Sequence, residues 1–134
     1  MLASLADETT EVDLEGTKAL VLTDDLEELR TAEQLEVTRL LPAFDPWVIG
    51  AARHPPLMPA AEVRRIFRPQ GWVSPILLVD GRIAGVWRHE RRGRGIVVEL
   101  EPFGRLPARA RHGLEAEARR LADFLPGELD LNWS

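Results

Sequence analysis

Four arginines, Arg88, Arg91, Arg92 and Arg94, fall within the nine-residue stretch WRHERRGRG (87–95), where Gly93 and Gly95 are interleaved with them. Guanidinium groups contact phosphate oxygens bidentately and fit a narrow minor groove, so a basic, glycine-containing tip suits tracking of a nucleic-acid backbone. Glu90 offsets part of the charge, and the same spacing also describes a solvated loop. The second candidate is Asp45, set between Phe44 and Pro46 and followed by Trp47. A carboxylate walled by aromatic rings can act as a general base or an electrostatic stabiliser. Asp before Pro also opens turns, which would make Asp45 a cap while Phe44 and Trp47 anchor the segment in the core.

Other chemistries find little support. His54, His89 and His112 fall on a loop, a strand end and a helix, and none is four residues from another. Metal ligands normally lie closer, so neither a metal nor a cofactor is expected. No GxSxG, Walker or glycine-rich phosphate motif is present. Cysteine is absent, which excludes disulfides and thiol catalysis and suits a reducing cytoplasm. No apolar run reaches the roughly 18 residues of a membrane span, and MLASLADETTEVD lacks the basic start and apolar stretch of a secretory signal. A cytoplasmic location without a membrane partner is therefore expected.

The length of 134 residues suits one domain or subdomain. The net charge of −5 hides an asymmetry. Residues 1–36 hold eleven acids and two bases, whereas residues 37–134 hold fifteen bases and eleven acids. The chain therefore divides into an acidic hairpin-helix junction segment (1–36) and a basic, β-rich body with a C-terminal helix and final strand (37–134).

The elements that position these residues follow from periodicity. TEVDL and GTKALVL around Glu15-Gly16 predict a hairpin burying Val12, Leu14, Leu20 and Leu22. Asp24 three residues before Glu27 resembles a capping box opening a helix that ends near Gln34. VTRLL (37–41) predicts a strand, and a short helix follows Pro59 with Val63, Ile66 and Phe67 on one face. WVSPILLV and RIAGVWRH flank Asp80-Gly81, a two-residue turn, and GIVVELE (95–101) adds a strand, giving an antiparallel meander across 72–101. Leu106, Ala110, Leu114, Ala118, Leu121 and Leu125 mark the buried stripe of a long helix stopped by Pro126-Gly127. Arg111 with Glu115, and Glu115 with Arg119, are pairs on its exposed side. ELDLNW alternates as a terminal strand returning to the sheet.

The segments RLLPAFDPWVIG, GWVSPILLVDGRIAGVWR, EPFGRLP and LDLNW, in that order, resemble the C-terminal region of a winged-helix DNA-binding protein family. This family includes bacterial DNA glycosylases for bulky alkylation damage and interstrand crosslinks. The resemblance runs from about residue 10 to the end. It implies a mostly β subdomain that scaffolds tandem winged helices, and a hairpin that approaches DNA near the lesion. Arg91, Arg92 and Arg94, with Arg88 supporting, are the residues here best placed for the role that the resemblance implies. Phe44 and Asp45 match the family's proline-phenylalanine-aspartate segment, although Ala43 is inserted after Pro42. The family's Gln-x-Gln catalytic motif is missing, because Gln34 and Gln70 stand far apart. The helix predicted after Pro59 also has no partner helix a tight turn away.

The expected fold is α+β: a twisted, barrel-like antiparallel sheet with a long C-terminal helix and short additional helices. The expected function is that of a DNA-binding accessory subdomain, not catalytic alone, whose partners are double-stranded DNA and the N-terminal winged-helix domains of a longer parent. A structural or protein-interaction module without DNA contact is the competing reading, and an enzyme using Asp45 in a pocket is a third.

Overall fold

The computed structural model describes residues 5–52 and 57–134, which leaves His54 outside the described residues. The chain forms two compact units, Met1–Leu35 and Glu36–Ser134.

In the first unit, β1 (Thr9–Leu14) pairs antiparallel with β2 (Thr17–Leu22), followed by a 3-10 turn and α1 (Leu26–Thr31). The hairpin is where the sequence places it, but its burial differs. The register sets Val12 opposite Ala19 and Leu14 opposite Thr17, whereas Leu20 faces Glu11 and Leu22 faces Thr9. Leu14 and Leu20 therefore lie on opposite faces, because side chains alternate along a strand. Leu14, Leu20 and Leu22 are exposed, and Val12 alone of the expected four is half-buried. The capping box also does not form. Thr23–Asp25 is a 3-10 turn, Asp25 is the cap residue of α1, and the helix ends at Thr31.

The second unit is built on a five-stranded sheet in the order β3-β6-β7-β8-β9. The strands are β3 (Thr38–Leu41), β6 (Ile76–Val79), β7 (Arg82–Arg92), β8 (Gly95–Pro102) and β9 (Leu129–Trp133). Three pairings are antiparallel, but β9 runs parallel to β8, with Val98 opposite Leu131. The expected antiparallel barrel is thus corrected to an open, mixed sheet with β3 and β9 as its edges. The reason is α4 (Ala108–Phe124), which lies between β8 and β9. A helical crossover carries the chain back to the start of the sheet, so the next strand runs in the same direction.

Each face of the sheet carries its own core. On one face, Leu77, Trp87, Ile96, Val98 and Leu100 pack with Leu114 and Ala118 of α4. Ala110, Leu114 and Ala118 are fully buried, and Leu106, Leu121 and Leu125 flank them as the stripe requires. Arg119 meets Glu115 at 3.9 Å as expected, but Arg111 lies over the Trp133 ring at 4.2 Å. On the other face, Ile76 and Ile83 meet Val48 and Ala51 of α2 (Pro46–Ala51) and Ile66 of α3 (Val63–Ile66). The meander begins at Ile76 rather than Trp72. Instead, β5 (Trp72–Val73) pairs with β4 (Phe67–Arg68), which takes Phe67 out of the predicted helix. Pro75 has no N–H to extend a ladder. Ser74 just before it is tied back to α3, its N–H donating to Ile66 O at 2.8 Å and its hydroxyl to Arg65 O at 2.9 Å.

Asp80, at φ +50° in the β6–β7 turn, clamps three elements. Its carboxylate accepts from the Val37 N–H at 2.9 Å and from Arg109 Nη1 and Nη2 at 3.3 and 2.6 Å. Arg109 first, and the Val37 amide second, hold this carboxyl below its usual range against a smaller opposing push from burial. A carboxyl held low in the folded state adds stability that is fully present above the unfolded pKa, about 4, and is lost as pH falls through the folded value. Asp80→Asn tolerates the same backbone conformation. It is expected to lower the unfolding free energy by about 1–2 kcal/mol at pH 7, after discounting for the partial exposure of Arg109. In urea titrations this gap should close as pH drops below about 4; a pH-independent gap would reject the ion pair as its source.

Candidate nucleic-acid interface

Strand β7 outruns its apolar sequence. Burial alternates up to Trp87, after which Arg88–Arg92 are all exposed. The ladder with β8 nevertheless continues to Arg92 opposite Gly95, leaving Gly93-Arg94 as the turn. The arginine cluster is therefore a hairpin tip, as its spacing suggests. By strand alternation, Arg88, Glu90 and Arg92 share one face, and His89 and Arg91 share the other with Trp87.

The four arginines are not equivalent. Arg88 Nε is ion-paired with Glu99, its neighbour across the ladder. Arg92 lies 3.5 Å from Glu90, with both side chains about two-thirds exposed. Such exposed pairs are worth roughly 0–1 kcal/mol and are readily exchanged for another anion. Arg91 Nη2 donates to Pro126 O at 3.1 Å. Arg94, in the turn itself, has no hydrogen-bond or ion-pair partner among the described residues.

The tip is also held from the side, which its sequence does not reveal. The Ile96 N–H donates to Glu128 O at 2.8 Å, and Gly127, at φ +132°, lies directly against the Arg94 carbonyl. The chain leaving α4 thus braces the hairpin where the free turn would otherwise flex.

Asp45 is the N-cap of α2, accepting from the Trp47 N–H at 2.9 Å. The aromatic residues flanking it are exposed, Phe44 by 46% and Trp47 by 38%, so neither is a core anchor. Phe44 has φ +58°, a costly conformation for a bulky residue, about 1–3 kcal/mol. Its N–H donates to Val73 O at 3.2 Å, and its ring packs near-perpendicular to Trp72 at 4.9 Å. His89 stacks on Trp87, and His112 is exposed on α4. Among the described residues no three His, Asp or Glu side chains are grouped to hold a metal ion. Sequence reasoning missed the cross-strand pair Arg68 and Trp72; the Pro69-Gln70-Gly71 stretch between them was the available signal for a turn.

A mixed sheet backed by one long helix, with a braced arginine hairpin at its end, defines a β-rich α/β domain with an exposed basic tip. Residues 1–124 match the family described as DNA glycosylase AlkZ-like, and the chain belongs to that family. It is 40% identical over 120 residues, 88% of its length, to the interstrand DNA cross-link repair glycosylase of Streptomyces sahachiroi, covering 31% of that protein. Its fold superposes on the solved Streptomyces sahachiroi DNA glycosylase AlkZ with a TM-score of 0.75 and 33% identity, over 97% of this chain and 35% of that one. The chain thus spans about a third of the length of these relatives. Among the described residues no helix is long and apolar enough to cross a membrane.

Proposed function

We propose that this chain is a DNA-binding accessory subdomain of a larger, cytoplasmic, nucleoid-associated DNA-repair glycosylase, with winged-helix domains preceding it, and that it is not catalytic alone. The braced tip carries this reading: Arg94 has no partner among the described residues, Arg92 is held only by an exposed pair, and Gly127 packs directly against the Arg94 carbonyl. A fixed tip presents guanidinium groups to phosphates or the minor groove with little ordering left to lose on binding. Arg88, paired with Glu99, supports the strand behind them. Asp45 enters as a helix cap rather than as a base.

The test is duplex affinity measured across salt concentrations. Each phosphate neutralised contributes about −0.9 to the slope of log K against log salt. Changing Arg91, Arg92 and Arg94 together to alanine is expected to flatten the slope by roughly 2–3 and to weaken duplex binding at low salt. An unchanged slope would remove the DNA role and favour the second reading, a protein-interaction module. That reading draws on the exposed apolar side chains Phe44, Trp47, Ile49 and Trp72.

A further inference from the structure

We infer that the groove beside β7 binds an unpaired nucleotide of DNA, with Trp72 as the stacking surface and Arg68 as the phosphate contact. This deepens the DNA reading above and rests on it. The groove has a volume of about 620 Å³, inside the roughly 300–1,000 Å³ span of small-ligand sites.

The pairing of β4 with β5 sets Arg68 directly opposite Trp72, so the two side chains leave the same face as neighbours. Arg68 has no hydrogen-bond or ion-pair partner among the described residues. Trp72 is 47% exposed, and the Phe44 ring restrains it at 4.9 Å without covering it. The strained backbone of Phe44 sets its ring against the exposed indole of Trp72. Arg88 and His89 of β7 and Glu99 and Glu101 of β8 also line the groove. The two carboxylates are ion-paired with Arg88 and Arg65. A carboxylate has about four acceptor sites, so each can still accept from the amino group or ring N–H of a base.

These features sort a nucleotide by its parts. The base has a π face for Trp72 and N–H donors for the glutamates, while the phosphate suits the guanidinium of Arg68, which has no partner among the described residues. A base inside a duplex has both faces stacked and its Watson–Crick edge paired, so a base that stacks on Trp72 must be unpaired or extruded. Strand β7 links this site to the hairpin tip. Arg88 in the groove and Arg92 at the tip are four residues apart, roughly 13 Å at a strand rise of about 3.3 Å. One strand can therefore serve both duplex backbone and displaced nucleotide.

The experiment titrates the 134-residue chain with a single-stranded 12-nucleotide oligo-dC at about 50 mM salt, following tryptophan quenching and fluorescence anisotropy. Trp72→Leu should weaken binding roughly tenfold, the scale of one base–aromatic stack, whereas Trp72→Phe should retain most of it. Arg68→Ala, at an exposed position, should weaken binding and flatten the salt slope by about 0.7. It also carries the test if Trp72→Leu does not fold. Absence of binding by the folded parent chain, affinity unchanged in both Trp72→Leu and Arg68→Ala, or equal loss in Trp72→Leu and Trp72→Phe would each overturn the inference. The first would point instead to a protein segment as the occupant. The Arg91/Arg92/Arg94 triple variant, assayed on duplex, separates the two readings: if its salt slope still flattens, only the groove has failed.

Discussion

Replacing Gly127 with alanine is expected to lower the unfolding free energy by about 2–4 kcal/mol, combining backbone strain with overpacking. It should also weaken duplex binding without removing any charge. A Cβ at this position would lie 1.9 Å from the Arg94 carbonyl oxygen, 2.8 Å from its carbon and 3.0 Å from Gly95 Cα. All three are backbone atoms, so no side-chain rotation relieves the contact. The φ of +132° is itself one that L side chains rarely adopt. The chain must therefore move away from the tip, which strains the bonds from Arg91 to Pro126 O and from Ile96 to Glu128 O. If the brace is what presents the arginines, Gly127→Ala reduces duplex affinity while its salt slope stays near the parent's, because the phosphates neutralised are unchanged in number. The measurement pairs urea unfolding with salt-dependent anisotropy on a labelled duplex. A variant that loses stability but binds duplex like the parent would show that presentation does not depend on this brace.

The contrast between the tip and its brace marks what local sequence can reveal. The strands on either side of the tip were legible because apolar alternation and the Asp80-Gly81 turn act over a few residues, although the apolar pattern stops near His89 and the ladder runs on to Arg92. The long helix was legible because Ala110, Leu114, Ala118 and Leu121 keep one face through it, with Leu106 and Leu125 just beyond its ends. The brace joins residues more than thirty positions apart, and Pro126-Gly127 reads in sequence only as a helix stop. The direction of β9 was hidden for a related reason. Leu129, Leu131 and Trp133 would face α4 in a parallel or an antiparallel strand alike, since alternation carries no direction.

Elsewhere the local signals competed. Asp24 and Glu27 have capping-box spacing, but Thr23–Asp25 forms a 3-10 turn, and the helix starts only at Leu26. Apolar alternation points both Leu14 and Leu20 inward, although a two-residue turn at Glu15-Gly16 fixes the register that separates them. Trp72 reads as the start of a strand in the meander until Pro75 and the Ser74 contacts divert it to β4. That diversion exposes Trp72 beside Arg68, so the groove arises from a segment whose pattern points to the main sheet but which pairs with β4 instead. Of the arginine cluster, the positions were legible and the partners were not. Glu99, Glu90 and the Pro126 carbonyl distinguish Arg88, Arg92 and Arg91 from Arg94 only once the ladder is paired.

Gly85→Ala should destabilise the second unit by about 3 kcal/mol, at the upper end of overpacking costs, while leaving the arginine tip intact. Gly85 is buried beside a register shift, where β7 carries one extra residue between the partners of Leu77 and Leu78. A Cβ here would lie 2.4 Å from the Glu101 carbonyl oxygen and 2.8 Å from both Leu77 Cδ1 and Pro102 Cα. The Leu77 methyl belongs to a fully buried side chain in the α4 core, and the other two atoms belong to the paired strand. Relief therefore requires either opening the base of the β7–β8 ladder or displacing the core, and both cost packing. The tip lies seven residues further along a ladder that remains regular from Gly85 to Arg92. A local opening at its base should leave Arg92, Gly93 and Arg94 in place. Urea unfolding is expected to show the lowered midpoint, and duplex titration below that midpoint should show affinity and salt slope close to the parent's. Loss of both together at temperatures where the variant is folded would mean that the tip and the sheet core form one mechanical unit. In that case the separation of roles between Gly85 and Gly127 would not hold.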